Sequence, residues 1–193
     1  MRFVFLISRE GLFFKFIGQR SNVKMVPKEI KLVDEQGIVN FYKAFSECDF
    51  ETMFAMLHEE CSLEFPGSSF PNCVSGRENI IELFKNIQLA MGNTLRFHPK
   101  WVLFKDDMTA IHWFTTGKPA HGGSYMNRGV AWYKLKDGLI YEFQDFFDTE
   151  IISAFWPDGF GCDDFSLAEQ KVERLKSYAT TEALERLEEI TKN

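Results

Sequence analysis

The stretch from residue 94 to residue 147 limits the fold more than any other part of the chain. It reads as four β segments in direct succession, over residues 94–104, 108–116, 124–135 and 139–147. Lys105-Asp106-Asp107 and Lys136-Asp137-Gly138 leave room only for short turns between the outer pairs. Asp-Gly is a strong hairpin signal, because the tight turns that match strand twist need positive φ at their centre. Four strands joined this way make an antiparallel meander. A meander has a face that needs cover, and the preceding residues supply helices for it.

Residues 28–46 carry Ile30, Val33, Ile38, Phe41, Tyr42 and Phe45 at roughly helical spacing. Asp49 is placed to cap a second helix over residues 50–57, with Met53, Phe54 and Leu57 on one face and His58 at its end. A short strand over residues 61–65 runs into Pro66-Gly67, which breaks it. After a polar loop at 67–76, a third helix over residues 77–91 presents Ile80, Ile81, Phe84 and Ile87. Beyond the meander, Asp148 is expected to cap a helical turn at 150–155. A charged helical tail, 166–192, carries Leu184, Leu187 and Ile190 on one face, to be packed on the body or on a partner. Helices followed by an antiparallel sheet is an α+β order.

A chain of 193 residues points to one domain and can bury a core without metals or disulfides. Its 21 phenylalanines either fill that core or line an apolar pocket, and composition leaves both open. The net charge of -6, with Lys and Arg scattered, argues against nucleic acid as a partner. No run approaches the roughly 18 apolar residues of a membrane span. Cys48, Cys61, Cys73 and Cys162 form no C-x-x-C pair, and no His stands near them at ligand spacing. Reduced thiols in a cytoplasmic protein, with no metal, is the simplest reading. Residues 1–24 carry Arg2, Arg9, Lys15, Arg20 and Lys24 against Glu10, the charge balance of an organelle-targeting peptide. They are expected to lie outside the fold. The expected division is therefore an extension at 1–24, a domain at 25–156 and a helical tail at 157–193.

Three local features resemble the SnoaL-like group of the nuclear transport factor 2-like superfamily. The first is the run from Phe41 through Asp49 to Phe50. The second is Leu63-Glu64-Phe65-Pro66-Gly67 followed by Gly76-Arg77-Glu78-Asn79-Ile80. The third joins Asn127-Arg128-Gly129-Val130, Asp137-Gly138-Leu139-Ile140 and Gln144-Asp145-Phe146-Phe147-Asp148. The resemblance implies a curved antiparallel sheet wrapped around the N-terminal helices, a cone with a central pocket. It does not settle function, since the family includes cyclases, isomerases, epoxide hydrolases, dehydratases and binding modules.

Set against the ketosteroid isomerases, the acid–base positions fall on Phe41, Phe65 and Ala131, so that mechanism is excluded. The last-strand Asp of the epoxide hydrolases and polyketide cyclases matches Asp145. The Arg-x-Asp partner of the hydrolases is missing from Ile111-His112-Trp113-Phe114-Thr115, and the assisting His of some cyclases falls near Ala131.

Alternation puts Tyr141, Phe143, Asp145 and Phe147 on one strand face. Among aromatic rings the charged form of Asp145 is disfavoured, which raises its pKa toward general acid–base work. His112, and Arg128 with its buried charge in need of a partner, are the expected catalytic companions. Phe41, Tyr42, Phe65 and Trp113 are expected as pocket walls, together with Trp132, Tyr141 and Phe143. His98 reads as a strand-edge residue and His121 as a loop residue. The expected function is a cofactor-independent isomerase, cyclase or dehydratase acting on a small apolar molecule. A non-catalytic ligand-binding or dimerisation module is the rival. A sheet face rich in Trp and Phe also suggests a homodimer.

Overall fold

The computed structural model describes residues 35–66, 73–156 and 165–192, with a small strand pair, β1 (Ile7–Ser8) and β2 (Gly11–Leu12), ahead of them. The rest of the predicted extension, the first turns of the helix expected from residue 28, residues 67–72 of the predicted loop, and Cys162 lie outside the described residues.

Two helices come first, α1 (Glu35–Ser46) and α2 (Phe50–Met56), then β3 (Leu57–Glu64), β4 (Cys73–Ser75) and α3 (Arg77–Ala90). The meander follows as β5 (Arg96–Lys105), β6 (Met108–Gly117), β7 (Tyr125–Lys136) and β8 (Leu139–Phe147). Three helices close the chain: α4 (Thr149–Phe155), α5 (Ser166–Lys176) and α6 (Thr181–Lys192). The six longer-range strands form one curved, unclosed sheet in the order β4-β3-β8-β7-β6-β5, antiparallel throughout except where β3 lies parallel to β8. This is the expected α+β cone. The strand β3 is longer than the pattern suggests and holds His58, which is therefore not at a helix end.

The first helix fits into the hollow of the sheet because Ile38, Phe41, Tyr42 and Phe45 follow the helical period and are all buried. Its chain then turns sharply at Cys48, whose φ of 58° is left-handed. Asp49 starts α2 as predicted: one carboxylate oxygen accepts from the Thr52 backbone N–H at 3.0 Å and the other from the Thr52 hydroxyl at 2.6 Å. Removing that cap by Asp49→Ala should cost about 1 kcal/mol in urea unfolding, while Asp49→Asn should cost little. A loss below a few tenths for the alanine variant would show that the cap is idle. Buried Gln88 ties three elements together, donating to the Phe45 carbonyl at 2.8 Å and the Leu95 carbonyl at 3.1 Å.

The predicted single tail helix is two helices. The chain leaves α5 at Ser177 and enters α6 at Thr181, and each helix buries its own short apolar face, Ala168, Val172 and Leu175 in one, Ala183, Leu187 and Ile190 in the other. They cover part of the outer face of the sheet, α5 against β7 and α6 against β6. His98 is consequently not an edge residue. It is buried beneath α6, with Nε2 2.9 Å from the Thr116 hydroxyl and Nδ1 3.3 Å from Glu182. Elsewhere on the outer face Trp101, Val130 and Phe146 stay exposed.

Candidate functional site

Register decides which side chains meet. Asp145 stands directly across from Ala131, and Ala131 across from Ile111. Opposed residues share a face of the sheet, and alternation extends that face to Trp113, Gly129, Tyr133, Phe143 and Phe147. This is the inner face, on which α1 lies. His112 pairs with Val130 and Arg128 with Phe114, so both belong to the outer face.

The three residues expected to act together are therefore split. Asp145 points inward. His112 lies outside, between the rings of Trp101 and Phe114, and partial burial, with Lys100 and Arg128 nearby, holds its pKa below the usual histidine value. Arg128 is stacked on the Tyr178 ring, 4.9 Å from its centre, and fixes the tail to the sheet. Neither shares a face with Asp145. The cause is one extra residue. In strict register from the Asp137-Gly138 turn, Asp145 would oppose Val130 and share a face with His112 and Arg128. A bulge in β8 intervenes, since Leu135 pairs with Ile140 but Lys134 pairs with Glu142, and one inserted residue exchanges the two faces beyond it.

The same bulge removes Tyr141 from the predicted pocket wall. Its ring meets His58 and the Lys136 ammonium on the rim of the sheet. Trp132 is also on the outer face, where its indole N–H donates to the Gln144 side-chain oxygen at 2.9 Å, and Gln144 in turn donates to Glu64. Phe41, Tyr42, Trp113 and Phe143 are inside, buried in the core cluster. Phe65 sits at the end of β3, half-buried against the Phe147 ring.

Around Asp145 the inner face is aromatic. Tyr133 stacks on Phe143 at 5.3 Å between ring centres. Phe41 meets the edges of both rings, and Phe97 packs between Tyr42 and Trp113 at 4.6 Å and 4.9 Å. Two hydroxyls interrupt the apolar wall. Tyr133 donates to the Tyr42 hydroxyl at 2.6 Å, leaving the Tyr42 proton for another acceptor. Asp145 as a residue is not wholly buried, but its carboxyl lies deep, and Oδ1 is sealed and has no hydrogen-bond partner. The Trp113 indole N–H is likewise buried and unpaired. It lies near enough to the Asp145 carboxyl and the Tyr42 hydroxyl to make each more acidic, but completes a hydrogen bond of normal geometry with neither.

Burial dominates the electrostatics. With few dipoles to replace water, the Asp145 carboxyl is pushed up to about 7, and the nearby indole only partly offsets this. Burial, aided by the Asp145 charge, also raises Tyr42 and Tyr133 well above the ordinary phenol value, so both remain neutral donors. Asp148 is structural, as predicted: it accepts from the Glu150 backbone N–H at 3.1 Å and caps α4. Among the described residues no three His, Cys, Asp or Glu side chains converge as metal ligands, and no helix is long and apolar enough to cross a membrane.

Tyr133 and Phe97 are the site residues missing from the sequence expectations. Tyr133 was open to detection, since it follows Ala131 by two positions and so shares its face. The donor–acceptor mismatch at Trp113 and Asp145 needs three-dimensional contacts and has no sequence signal.

Solved structures share the architecture. A provisionally assigned isomerase from Bacillus subtilis aligns over 65% of this chain and 93% of its own, with a TM-score of 0.57 and 18% identity. A provisionally assigned SnoaL-like polyketide cyclase from Jannaschia sp. CCS1 aligns over 66% and 93%, at 0.57 and 14%. TerC, crystallised with polyporic acid, aligns over 61% and 92%, at 0.53 and 19%. At these identities the likeness is one of fold. No curated protein matches the chain. The family model for the SnoaL-like domain matches residues 38–143, from α1 to the middle of β8 and so across most of the inner face. More than half of the sequence lies within that match, and the chain belongs to the SnoaL-like domain family.

Proposed function

We propose that this protein is an acid–base enzyme that moves a proton on a small, largely apolar molecule held against the inner face of the sheet, with Asp145 as the group that carries the proton. The observation that supports this most is the state of Asp145: a lone carboxyl among aromatic rings, poised near neutral pH. A proton carrier is most effective when its pKa lies near the working pH, because it is then both available and able to return the proton. As carboxylate, Asp145 takes a proton from carbon beside a carbonyl; as acid, it returns it to the same or a neighbouring carbon. Tyr42, with its neutral hydroxyl polarised by the bond from Tyr133, is placed to donate to the developing oxyanion. Isomerisation, cyclisation and dehydration all contain such a step.

Hydrogen–deuterium exchange tests the step without knowledge of the natural substrate. The protein is incubated in heavy water with 2-tetralone or cyclohex-2-enone, and loss of the α-proton signal is followed by NMR. The wild type should accelerate exchange, with half of the maximal rate near pH 7, and Asp145→Asn should lose about a hundredfold or more of that acceleration. If the asparagine variant exchanges as fast as the wild type, Asp145 is not the proton carrier. Binding of these ketones without accelerated exchange in the wild type would instead make the protein a binding module.

A further inference from the structure

The edge of a sheet carries unpaired backbone groups, and chains commonly blunt it with proline, a bulge or charge. The strand β5 is blunted over its first half only. There the Phe97 N–H is taken by the Ser46 hydroxyl at 2.9 Å, Pro99 has no N–H to offer, and a bulge falls between Pro99 and Trp101. Residues 101–105 then run regularly into the hairpin. The Asp106-Asp107 turn has two residues, so Lys105 and Met108, which close it, exchange ladder bonds, and so does every second pair behind them. Leu103 therefore bonds to β6. Val102 and Phe104 direct their N–H and C=O groups the other way, and among the described residues no strand lies beyond β5 to receive them. The same stretch is apolar on both faces, with Trp101 and Leu103 on the outer side and Val102 and Phe104 on the inner. Leu103 is 64% exposed, Trp101 and Phe104 are each 41% exposed, and Met108 beside them is exposed as well. A bare edge of this kind is a template for another strand.

We propose that this edge pairs with the same edge of a second copy, antiparallel about a two-fold axis at Leu103, so that two sheets join into one. Such a partner must set outward-pointing residues against outward-pointing ones. That leaves three registers: Val102 against Val102, Val102 against Phe104, or Phe104 against Phe104. Charge selects the middle one. With Val102 against Phe104, Asp106 of each copy falls opposite Lys100 of the other, and symmetry makes the contact twice. In the remaining registers Asp106 falls opposite His98 or Val102 and gains no cation. The Lys100 ammonium gives one proton to the Tyr178 carbonyl at 3.2 Å and keeps its others for the incoming carboxylate. No like charges are opposed, since Lys105 meets Trp101 of the other copy. Each Val102–Phe104 pair exchanges both of its backbone hydrogen bonds, and Leu103 is covered by Leu103 of the other copy on the outer face. The pairing uses nothing on the inner face, so it stands apart from the proposed function.

A pairing this short makes a small interface and a reversible dimer, with a dissociation constant of about micromolar order. Sedimentation equilibrium of the full chain at about 100 μM should therefore give about twice the 22.5 kDa of one chain. Leu103→Lys sets two ammonium groups face to face on the axis and should weaken association about a hundredfold. Phe104→Pro removes an outward N–H but no bond to β6, and should weaken it about tenfold or more. Crosslinking tests the register and does not depend on how those two variants fold. With Cys48, Cys73 and Cys162 replaced by serine, Leu103→Cys should form a disulfide-linked dimer on mild oxidation and Phe104→Cys should not, because only residue 103 stands opposite itself. A monomer throughout would overturn the proposal. So would crosslinking at residue 104 in place of 103. A dimer that both Leu103→Lys and Phe104→Pro leave intact would also overturn it, and would move the contact to another surface, such as the outer face around Val130 and Phe146.

Discussion

Asp145→Asn should make the protein more stable at pH 8 by about 2–4 kcal/mol while leaving it nearly unchanged at pH 4. The native carboxyl is held near 7, against an ordinary value of 3.8 in the unfolded chain. Between those values the folded state binds the extra proton, so folding is favoured by acid. The contribution is fully present below about pH 4, declines as pH rises, and is gone above about pH 8. A shift of roughly three units corresponds to about 4 kcal/mol, and relaxation around the charge lowers the realised figure. Asparagine replaces the neutral acid with a neutral amide of the same shape and removes the cost of ionising in place. His98 and His112 work in the opposite sense, since burial holds both below the usual histidine value and their contribution fades as pH falls through the histidine range. They are common to wild type and variant, so the difference between the two urea-unfolding profiles isolates Asp145. Parallel profiles from pH 4 to 8 would mean that the carboxyl ionises freely, and the case for a poised proton carrier would go with it. The expected opposition, a more stable protein with less activity, is the mark of a group retained for chemistry.

How much of this was readable in advance depends on the range over which each signal acts. The hairpin at Asp137-Gly138, the cap at Asp49 and the buried stripe of α1 are local, and the structure shows each where the sequence puts it. The inward direction of Asp145 and Phe143 also holds, because it needs only alternation within half a strand. What failed was the relation between strands. Nothing in Leu139-Ile140-Tyr141-Glu142 announces a bulge, yet that one residue moves Asp145 from the face of His112 and Arg128 to the face of Trp113 and Tyr133. A lone histidine and a lone arginine on apolar strands were sound candidates by residue type. They lie on the outer face, where the tail helices cover the sheet around Arg128. The break in that tail was hidden for a related reason: its helical pattern continues through Ser177 to Thr180, and only the packing of two short apolar faces on the sheet separates the helices.

The largest loss of stability from a single added methyl group should come from Gly129→Ala, about 3 kcal/mol or more. Gly129 lies in the middle of β7, paired with Phe147 on one side and Trp113 on the other, and its backbone is ordinary for a strand. The constraint is space. A Cβ here would stand 2.3 Å from Trp113 Cζ2, 2.7 Å from Cη2 and 2.4 Å from the Phe146 carbonyl oxygen. The carbonyl belongs to the neighbouring strand and cannot retreat without opening the ladder. The indole cannot retreat without displacing Phe97, and through it Tyr42. Overpacking of this kind is relieved only by backbone movement, which is why it falls at or above the upper end of the usual cost. Gly117 offers the contrast. A Cβ there meets the terminal methyl of Met91 at 2.7 Å, a flexible tip, and the Leu95 backbone only at 3.3 Å, so Gly117→Ala should cost less. The Gly129 variant should also lose the near-ultraviolet signal of a fixed indole, and its Asp145 carboxyl should titrate closer to the ordinary range as water enters beside Trp113. Urea unfolding and a carboxyl-carbon NMR titration measure the two effects. A variant within 1 kcal/mol of wild type and with Asp145 still near 7 would show that the indole is free to move. The packing of the indole between Phe97 and the bare backbone of Gly129 would then not be what fixes Trp113 on the inner face.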